Sequence, residues 1–384
     1  MIAFFKLLTI KSYSSPGSVV VERRLLFPDE TTRINNLDFI RFILALSVLY
    51  CHCFVLYYGT EDTVEPLWVV SNKQLSLGTL SVNFFFTISG FLVLQSWNNS
   101  KGFGDYIRKR IIRIYPGFIV ASLLCILVFA PLGTADWYMP WGYWKLYYQS
   151  LSVPKALLSV AELTQPWVPW TLKYVPIPEA INGSLWTIRY EFYCYLVVPL
   201  FALIGIYKKR LLVIFLFLIA YVYQGLQSYY NIYLFGWQEF PIIGKPDFFP
   251  RFLTYFIVGM CFYCYKDVIP RSKTFLAISI LMMVLSTVAF KGLALTQPIF
   301  GSYILFYLAF TTSISFKNFS RKGDFSYGLY MYAWPVQQLI ILYMEKYLNL
   351  SLLFILTFII TMIFAYLSWH YIEQPFLSFK KRRQ

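Results

Sequence analysis

The feature that most constrains this chain is a series of apolar segments, each close to the length that crosses a lipid bilayer. About 20 mostly apolar residues span the hydrocarbon core. Only 13% of the residues are charged, against about 25% in soluble domains. The sequence therefore predicts an all-α integral membrane protein, a single bundle of about ten transmembrane helices. The segments are roughly 37–57, 77–97, 111–131, 184–206, 210–227, 249–266, 274–291, 298–316, 325–344 and 350–372.

The positions of Lys and Arg predict the orientation of this bundle, because loops on the cytoplasmic side carry an excess of both residues. With the N-terminus in the cytoplasm, most of the 33 Lys and Arg residues fall in the N-terminal region, in every second loop and in the C-terminal tail. Both termini are therefore predicted to be cytoplasmic. The net charge of +15 would favour nucleic acid in a soluble protein. Here it follows from membrane orientation, and we expect no nucleic-acid partner.

Three regions follow from this pattern: a loose cytoplasmic lead-in (1–36), the membrane domain (37–375) and a basic cytoplasmic tail (376–384). The lead-in is too weakly apolar for a secretory signal. The cysteines lie in or at the ends of apolar segments and are predicted to be core residues. In the run Cys51-His52-Cys53, neighbouring side chains on a helix point about 100° apart, so we expect no metal site there.

Two ionisable residues, Arg41 and His52, lie inside the first apolar segment. Eleven residues of helix turn by about 1100°, so both side chains share one face, about 16 Å apart along the axis. An arginine in mid-membrane costs at least about 2.5–3.5 kcal/mol and usually faces the protein interior or a water-filled cavity. The spacing predicts that both residues line one buried polar path.

A polar stripe opens the fourth segment, where Ser184, Thr187 and Glu191 share a helix face. Glu191 lies about 12 Å from the outer membrane surface, and His52 lies about 22 Å from the cytoplasmic surface. In a hydrocarbon core of about 30 Å, these two depths are at a similar level. The two are therefore predicted to lie near each other, although a structural ion pair would leave the same pattern. Arg189 points to another face, and the sequence gives no role for it.

Three further features allow both a structural and a functional interpretation. Ser89 and Gly90 admit a neighbouring helix or a thin ligand. Arg110 and Arg113 lie one turn apart at the cytoplasmic mouth, either as membrane anchors or as a clamp for an anionic ligand. The external connection 132–183 contains five of the eleven tryptophans, which suits either a membrane interface or a stacking surface for a sugar in a functional loop.

Together these motifs resemble the acyltransferase-3 family of polytopic membrane acyltransferases. The resemblance implies transfer of an acyl group, usually acetyl, from a coenzyme A donor in the cytoplasm to a hydroxyl of an envelope glycan. It implies the bacterial cytoplasmic (inner) membrane as location and acyl-CoA as cosubstrate, without a bound cofactor. Two positions depart from the family pattern, Ala333 and Arg189. The matching motifs are Arg41 and His52, 84–91, 110–116, 182–191, 256–259, 326–330 and 373–375.

On this resemblance we assign roles that the structure can address. His52 acts as general base or carries the acyl group transiently, and Glu191 orients its imidazole or stabilises its charged form. Acceptor contacts fall to Asn182 and Trp186. Arg41 is assigned to both catalysis and donor binding. The other residues assigned to donor binding are Arg110, Arg113, Ser89 and Gly90.

Two other classes fit the same residues. A transporter or flippase for a glycan or lipid-linked sugar would line its pathway with Arg41 and Glu191, although the sequence shows none of the internal repeats common in such folds. A non-catalytic membrane scaffold would use the buried charges for structure alone. The acceptor sugar and the oligomeric state do not follow from the sequence.

Overall fold

The computed structural model describes residues 25–27, 35–60, 64–136, 138–310, 316 and 318–379. Most of the predicted lead-in and of the basic tail lies outside these residues. Within the described part of the lead-in, Leu26 donates its backbone N–H to the carbonyl of Ile269 at 2.9 Å. The ring of Phe27 stacks on Phe91 with centroids 5.0 Å apart. This short stretch packs on the helices and is not loose.

The described chain consists of helices joined by turns and loops, with no β-strand in this part of the protein. Each predicted apolar segment overlaps a helix of the described chain, and residues 311–315 of the eighth segment lie outside the described residues. In chain order these helices are α1 Leu37–Tyr58, α2 Leu77–Asn98, α3 Phe103–Leu132, α4 Trp186–Leu203, α5 Arg210–Tyr230, α6 Phe249–Cys264, α7 Lys273–Val288, α8 Leu293–Phe310, α9 Ser326–Met344 and α10 Leu350–Ser378.

Six of the described helices are long and apolar enough to cross a membrane: α1, α2, α3, α5, α8 and α10. The other four are shorter or carry more polar residues. Helices α3, α8 and α10 each contain one π-helical turn, a distortion that is frequent at functional sites. The number of about ten spans and the cytoplasmic position of both termini stay predictions.

Helices α2 and α6 touch backbone to backbone. A Cβ atom on Gly90 would lie 1.9 Å from the carbonyl oxygen of Phe256, and one on Gly259 would lie 2.0 Å from that of Thr87. Real Cβ atoms do not approach so closely, so only glycine fits at either position. Small residues allow membrane helices to pack in this way, and this contact fixes α2 beside α6.

The long connection between α3 and α4 packs against one end of the bundle. The backbone N–H of Leu172 donates to Gly133 at 2.7 Å, which closes the connection on itself. From α9, Gln338 donates to the carbonyls of Ile177 at 2.8 Å and Ala180 at 3.1 Å. The connection is therefore held over the C-terminal end of α9, away from the end where α9 begins.

Candidate active site

A cavity of about 260 Å³ opens among α1, α2, α3, α4 and α9. We call it the basic cavity, because its lining includes Arg41, Lys109, Arg110 and Arg113. Arg41 and Ser326 lie near the starts of α1 and α9, so the cavity begins at that end of the bundle. The remaining polar lining is Ser89, Thr187, Glu191, Tyr195, Ser326, Tyr327 and Tyr330.

One carboxylate holds two of the cavity arginines. Oδ2 of Asp324 accepts from Arg41 Nη1 at 2.9 Å and from Arg113 Nη2 at 3.0 Å. The second oxygen, Oδ1, accepts from the hydroxyl and the backbone N–H of Ser326. Burial opposes ionisation of Asp324, but the charges of Arg41 and Arg113 outweigh it and hold the pKa of this carboxyl well below its usual value. Arg41 Nη1 also lies 3.9 Å from Oδ1 of Asp38, whose side chain is 47% exposed. Asp324 is therefore the less exposed carboxylate, and it holds both guanidiniums in place.

The neighbouring cations Lys109 and Arg110 differ in how they are held. Lys109 donates to Asp105 at 2.5 Å and to Ser100 at 3.0 Å, so its charge is paired. Arg110 donates to the hydroxyl of Ser96 at 3.0 Å. Its guanidinium also lies 5.5 Å from the ring centroid of Tyr195. Arg110 therefore contributes a positive charge to the basic cavity, and its guanidinium is held by a hydroxyl and by the face of an aromatic ring.

Glu191 lies on the wall of the basic cavity, where two hydroxyl groups hold it. Its Oε1 accepts from Ser89 at 2.9 Å and from Tyr195 at 2.5 Å. Ser89 itself also lines the basic cavity. Gly90 faces α6 instead, so helix packing accounts for it and it makes no wall of the cavity.

Thr187 and Tyr330 mark how deep the basic cavity extends. Their hydroxyls are 2.6 Å apart and hydrogen-bonded, and both residues line the cavity. On α9, Tyr330 comes four residues after Ser326 and four residues before Trp334, a rise of about 6 Å along the helix in each case.

His52 lies beyond this pair, against Trp334. The two rings meet edge to face with centroids 4.8 Å apart. Trp334 is fixed in turn, since its Nε1 donates to Ala180 at 2.9 Å and its ring covers Gly183. Nδ1 of His52 is buried and has no hydrogen-bond partner. A buried polar atom without a partner is costly and needs an explanation.

The expected pairing of Glu191 with His52 is not what the structure shows. Glu191 accepts hydrogen bonds from Ser89 and Tyr195, and the ring of His52 packs against Trp334. Helical rise gives the depth of a residue but not its position in the plane of the membrane. The similar depth of the two residues therefore does not make them partners, and His52 lies outside the lining of the basic cavity.

The two residues expected to contact the acceptor have different surroundings. Asn182 is fully buried, and its amide donates to the carbonyl of Met331 at 2.8 Å. That contact joins the start of α4 to α9, which is a structural role. Trp186 is 37% exposed and packs on Phe248 with centroids 4.6 Å apart. Only Trp186 keeps a surface that a ligand can reach.

The sequence did not predict the partners of several buried polar groups. Arg189, which had no role, donates from Nε to the Glu162 carbonyl at 3.1 Å and from Nη2 to its carboxylate at 3.3 Å. Arg251 lies within α6 and donates to Asn83 at 2.9 Å. A charge inside an apolar segment was the available signal for both arginines, but neither partner is near in sequence.

These observations define a helical membrane protein with a basic cavity at one end and a buried histidine beyond it. A family model described as an acyltransferase domain, Acyl_transf_3, matches residues 34–370. The chain belongs to this acyltransferase family, and it is a multi-pass membrane protein. The family resemblance that the sequence motifs gave is confirmed.

Curated relatives carry names that agree with the family. An "O-acetyl transferase" of Shigella phage Sf6 is 27% identical over 349 residues, which are 90% of this chain and 96% of the relative. "Nodulation protein 10" of Rhizobium leguminosarum bv. viciae is 25% identical over 360 residues, 90% of this chain and 94% of the relative. "Acyltransferase MdmB" of Streptomyces mycarofaciens is 27% identical over 45% of this chain and 40% of its own. No solved structure matches the chain. The chain is an O-acyltransferase.

Proposed function

We propose that this enzyme transfers an acyl group, acetyl by preference, from cytoplasmic acyl-CoA to a hydroxyl of a cell-surface polysaccharide or of its lipid-linked precursor. The observation that carries the proposal is the basic cavity itself. Arg41, Arg110 and Arg113 line it, and the same two helices, α1 and α9, lead from it to His52. We place the protein in the bacterial cytoplasmic (inner) membrane, with the cavity opening to the cytoplasm.

The chemistry of a CoA thioester suits this cavity. Its phosphates are anionic and do not cross lipid, so the donor has to meet the protein at the membrane surface. Guanidinium groups bind phosphate oxygens through paired hydrogen bonds, and Arg41 and Arg113 are already fixed by Asp324. Such preorganisation lowers the entropy that the arginines lose when the donor binds.

The uncharged arm of the donor would then pass Ser89 and Glu191. The Glu191 carboxylate accepts hydrogen bonds from two hydroxyl groups of the protein, and these bonds stabilise its negative charge. In this arrangement Glu191 shapes the wall of the channel with Ser89 and Tyr195, and it does not orient His52. Movement of the Thr187–Tyr330 pair is needed for the thioester to reach the histidine.

At His52 the reaction is a proton transfer coupled to acyl transfer. The imidazole takes the proton of the acceptor hydroxyl, and the oxygen attacks the thioester carbonyl carbon. When the carbon–sulfur bond breaks, the CoA sulfur takes the proton from the imidazolium. The buried, unpartnered Nδ1 supports this role, because no protein group competes for the ring proton at that atom.

The test compares the two histidines of the chain. General-base assistance contributes about 10²–10⁴-fold, so His52→Ala is expected to lower transfer from labelled acetyl-CoA by at least about 100-fold. His370 packs against Tyr366 in α10, with centroids 4.3 Å apart, outside the cavity lining. His370→Ala is the matched control and should retain transfer.

Both variants are first shown to insert into the membrane and to elute as the wild-type protein does. Near-normal transfer by inserted His52→Ala would contradict the assignment. Movement of a glycan across vesicles without donor and without acylation would support a transporter instead.

A further inference from the structure

Two neighbouring cavities lie at the end of the molecule opposite the basic cavity. One, of about 330 Å³, is formed within the connection between α3 and α4. The other, of about 650 Å³, lies between that connection and the C-terminal end of α9 with the turn that follows. Both are lined by Ala135, Asp136 and Tyr174, so they adjoin each other. We call the combined cavity the loop groove.

The walls of the loop groove are held in place before any ligand binds. Asp136 accepts backbone N–H groups of Tyr138 at 2.9 Å and Met139 at 2.7 Å, and the hydroxyl of Tyr143 at 2.9 Å. Tyr343 of α9 donates to the Leu132 carbonyl at 2.9 Å, which ties the two walls together. A groove with fixed walls loses little conformational entropy when it is filled.

The accessible lining of the loop groove consists of tyrosine rings with charged groups between them. Tyr138 is 88% exposed, Tyr347 82% and Tyr174 66%. Glu345 lines the same cavity. Tyrosine offers a large rigid ring face together with a hydrogen-bonding tip. The dimensions also fit a ligand site, for which about 300–1,000 Å³ is usual.

These rings do not have the arrangement of a membrane belt. In such a belt Trp and Tyr face outward at the interface with lipid. Here the rings line concave space together with Asp136 and Glu345, and exposed aromatic groups clustered in this way mark interaction sites. Ring faces beside hydrogen-bonding groups match a sugar, which has an apolar face of C–H groups and a rim of hydroxyls.

The position of the loop groove along α9 connects it to His52. Ser326 and Tyr330 line the basic cavity and Trp334 contacts His52, whereas Leu342 lines the loop groove. Leu342 comes eight residues after Trp334, about 12 Å along the helix. Ala180, in the connection that carries Tyr174, accepts the hydrogen bond of Trp334. The histidine therefore lies between the basic cavity and the loop groove.

We propose that the loop groove binds a stretch of the acceptor saccharide chain and holds one hydroxyl-bearing sugar for delivery to His52. The inference rests on the proposed function, which supplies the need for an acceptor of this class. It assigns acceptor recognition to Tyr138, Tyr174 and Tyr347.

The test is binding of the full chain in lipid nanodiscs to a glycan array of bacterial O-antigen and capsular oligosaccharides. The variants are Tyr174→Ala, Tyr347→Ala and the double variant. A few anchoring side chains, often aromatic, supply most of the binding free energy of an interface, so the double variant is expected to bind its array partners at least about tenfold more weakly. Tyr230→Ala is the control, because Tyr230 is 73% exposed at the end of α5 and outside the groove.

Each result of the array bears on the proposal. Unchanged binding by the double variant overturns it, as does the absence of oligosaccharide binding by the wild-type protein. The proposal is also overturned if Tyr230→Ala loses binding to the same extent, or if the single variants incorporate poorly into nanodiscs. Either result would identify the tyrosine rings as a membrane belt. His52→Ala should bind as the wild type does. If binding on the array depends on the loop groove but neither the wild-type protein nor any variant transfers acetyl, the proposed function is wrong. Saccharide binding by the loop groove would then still hold.

Discussion

Two buried arginine sites in this enzyme differ in what their charges face. Arg189 meets Glu162 one to one, and its side chain is only 8% exposed. Arg41 and Arg113 share the carboxylate of Asp324 and line the basic cavity, and Arg41 also lies 3.9 Å from the more exposed carboxylate of Asp38. A buried arginine in a membrane helix is therefore not by itself a sign of function. The cavity beside Arg41 and Arg113 distinguishes them from the Arg189–Glu162 pair.

The largest difference between the two sites should appear when the carboxylate is removed. Asp324→Asn removes the ion-pair partner of Arg113 and leaves Arg41 only the more exposed Asp38 at 3.9 Å. Breaking a buried pair costs about 3–5 kcal/mol. Glu162→Gln removes a more exposed partner from one arginine, whose bond to the Glu162 carbonyl remains.

Thermal unfolding of each protein in the same nanodiscs measures this contrast. Asp324→Asn is expected to unfold at a clearly lower temperature than Glu162→Gln. Equal destabilisation would show that the shared carboxylate is no more important than the simple pair.

A smaller effect is expected when each arginine becomes lysine. Lysine keeps the charge but loses the planar fork that binds phosphate oxygens in pairs. A hydrogen bond to a charged group contributes about 1.5–3 kcal/mol, so Arg41→Lys should raise the KM for acetyl-CoA by about tenfold or more. Arg189→Lys should leave that KM unchanged.

Steady-state kinetics with acetyl-CoA as the varied substrate give both values. A similar rise of KM in the two variants would mean that Arg41 acts through the fold. If the KM for acetyl-CoA changed in neither variant, Arg41 would not belong to the proposed donor site.

The smallest expected effect is that of pH on the shared carboxylate. The pKa of Asp324 is depressed in the folded protein, against about 3.9 in an unfolded chain. A group of this kind stabilises the fold fully above its unfolded pKa, and the stabilisation is lost as pH falls through the folded pKa. From pH 8 to pH 5, therefore, Asp324 should add no pH dependence.

Glu373 is a second buried carboxyl that interacts with Arg113 and Asp324, so it is replaced by Gln in both proteins. The check is the difference in unfolding temperature between Glu373→Gln and the Asp324→Asn/Glu373→Gln double variant at pH 8 and at pH 5. The two differences should agree. A difference that shrinks markedly at pH 5 would mean that Asp324 gains a proton in that range and is not held ionised by the arginines.

The sequence predicted most of the helical architecture, because hydrophobic length and period are local properties. It also predicted that Arg41, Arg110 and Arg113 gather at one end, since each lies near that end of its helix. It could not predict that Asp324 joins Arg41 and Arg113, because Asp324 is 283 residues from Arg41 and the contact depends on how α9 packs.

The role of Glu191 shows the same limit. Counting residues placed Glu191 and His52 at similar depth, but lateral position depends on which helices are neighbours. Tyr195 and Tyr330, which line the basic cavity, look in sequence like any aromatic residue of an apolar helix. Their hydroxyls find polar partners only in the folded chain.

The most direct test of the account supplies the two substrates from opposite sides of a membrane. The protein is reconstituted into vesicles, and its orientation is read from protease access to the C-terminal tail. Labelled acetyl-CoA is added only on the side of the basic cavity, with the acceptor oligosaccharide only on the side of the loop groove. The account predicts acylation in this arrangement and none when the two compartments are exchanged. Acylation that requires acetyl-CoA on the side of the loop groove would contradict it.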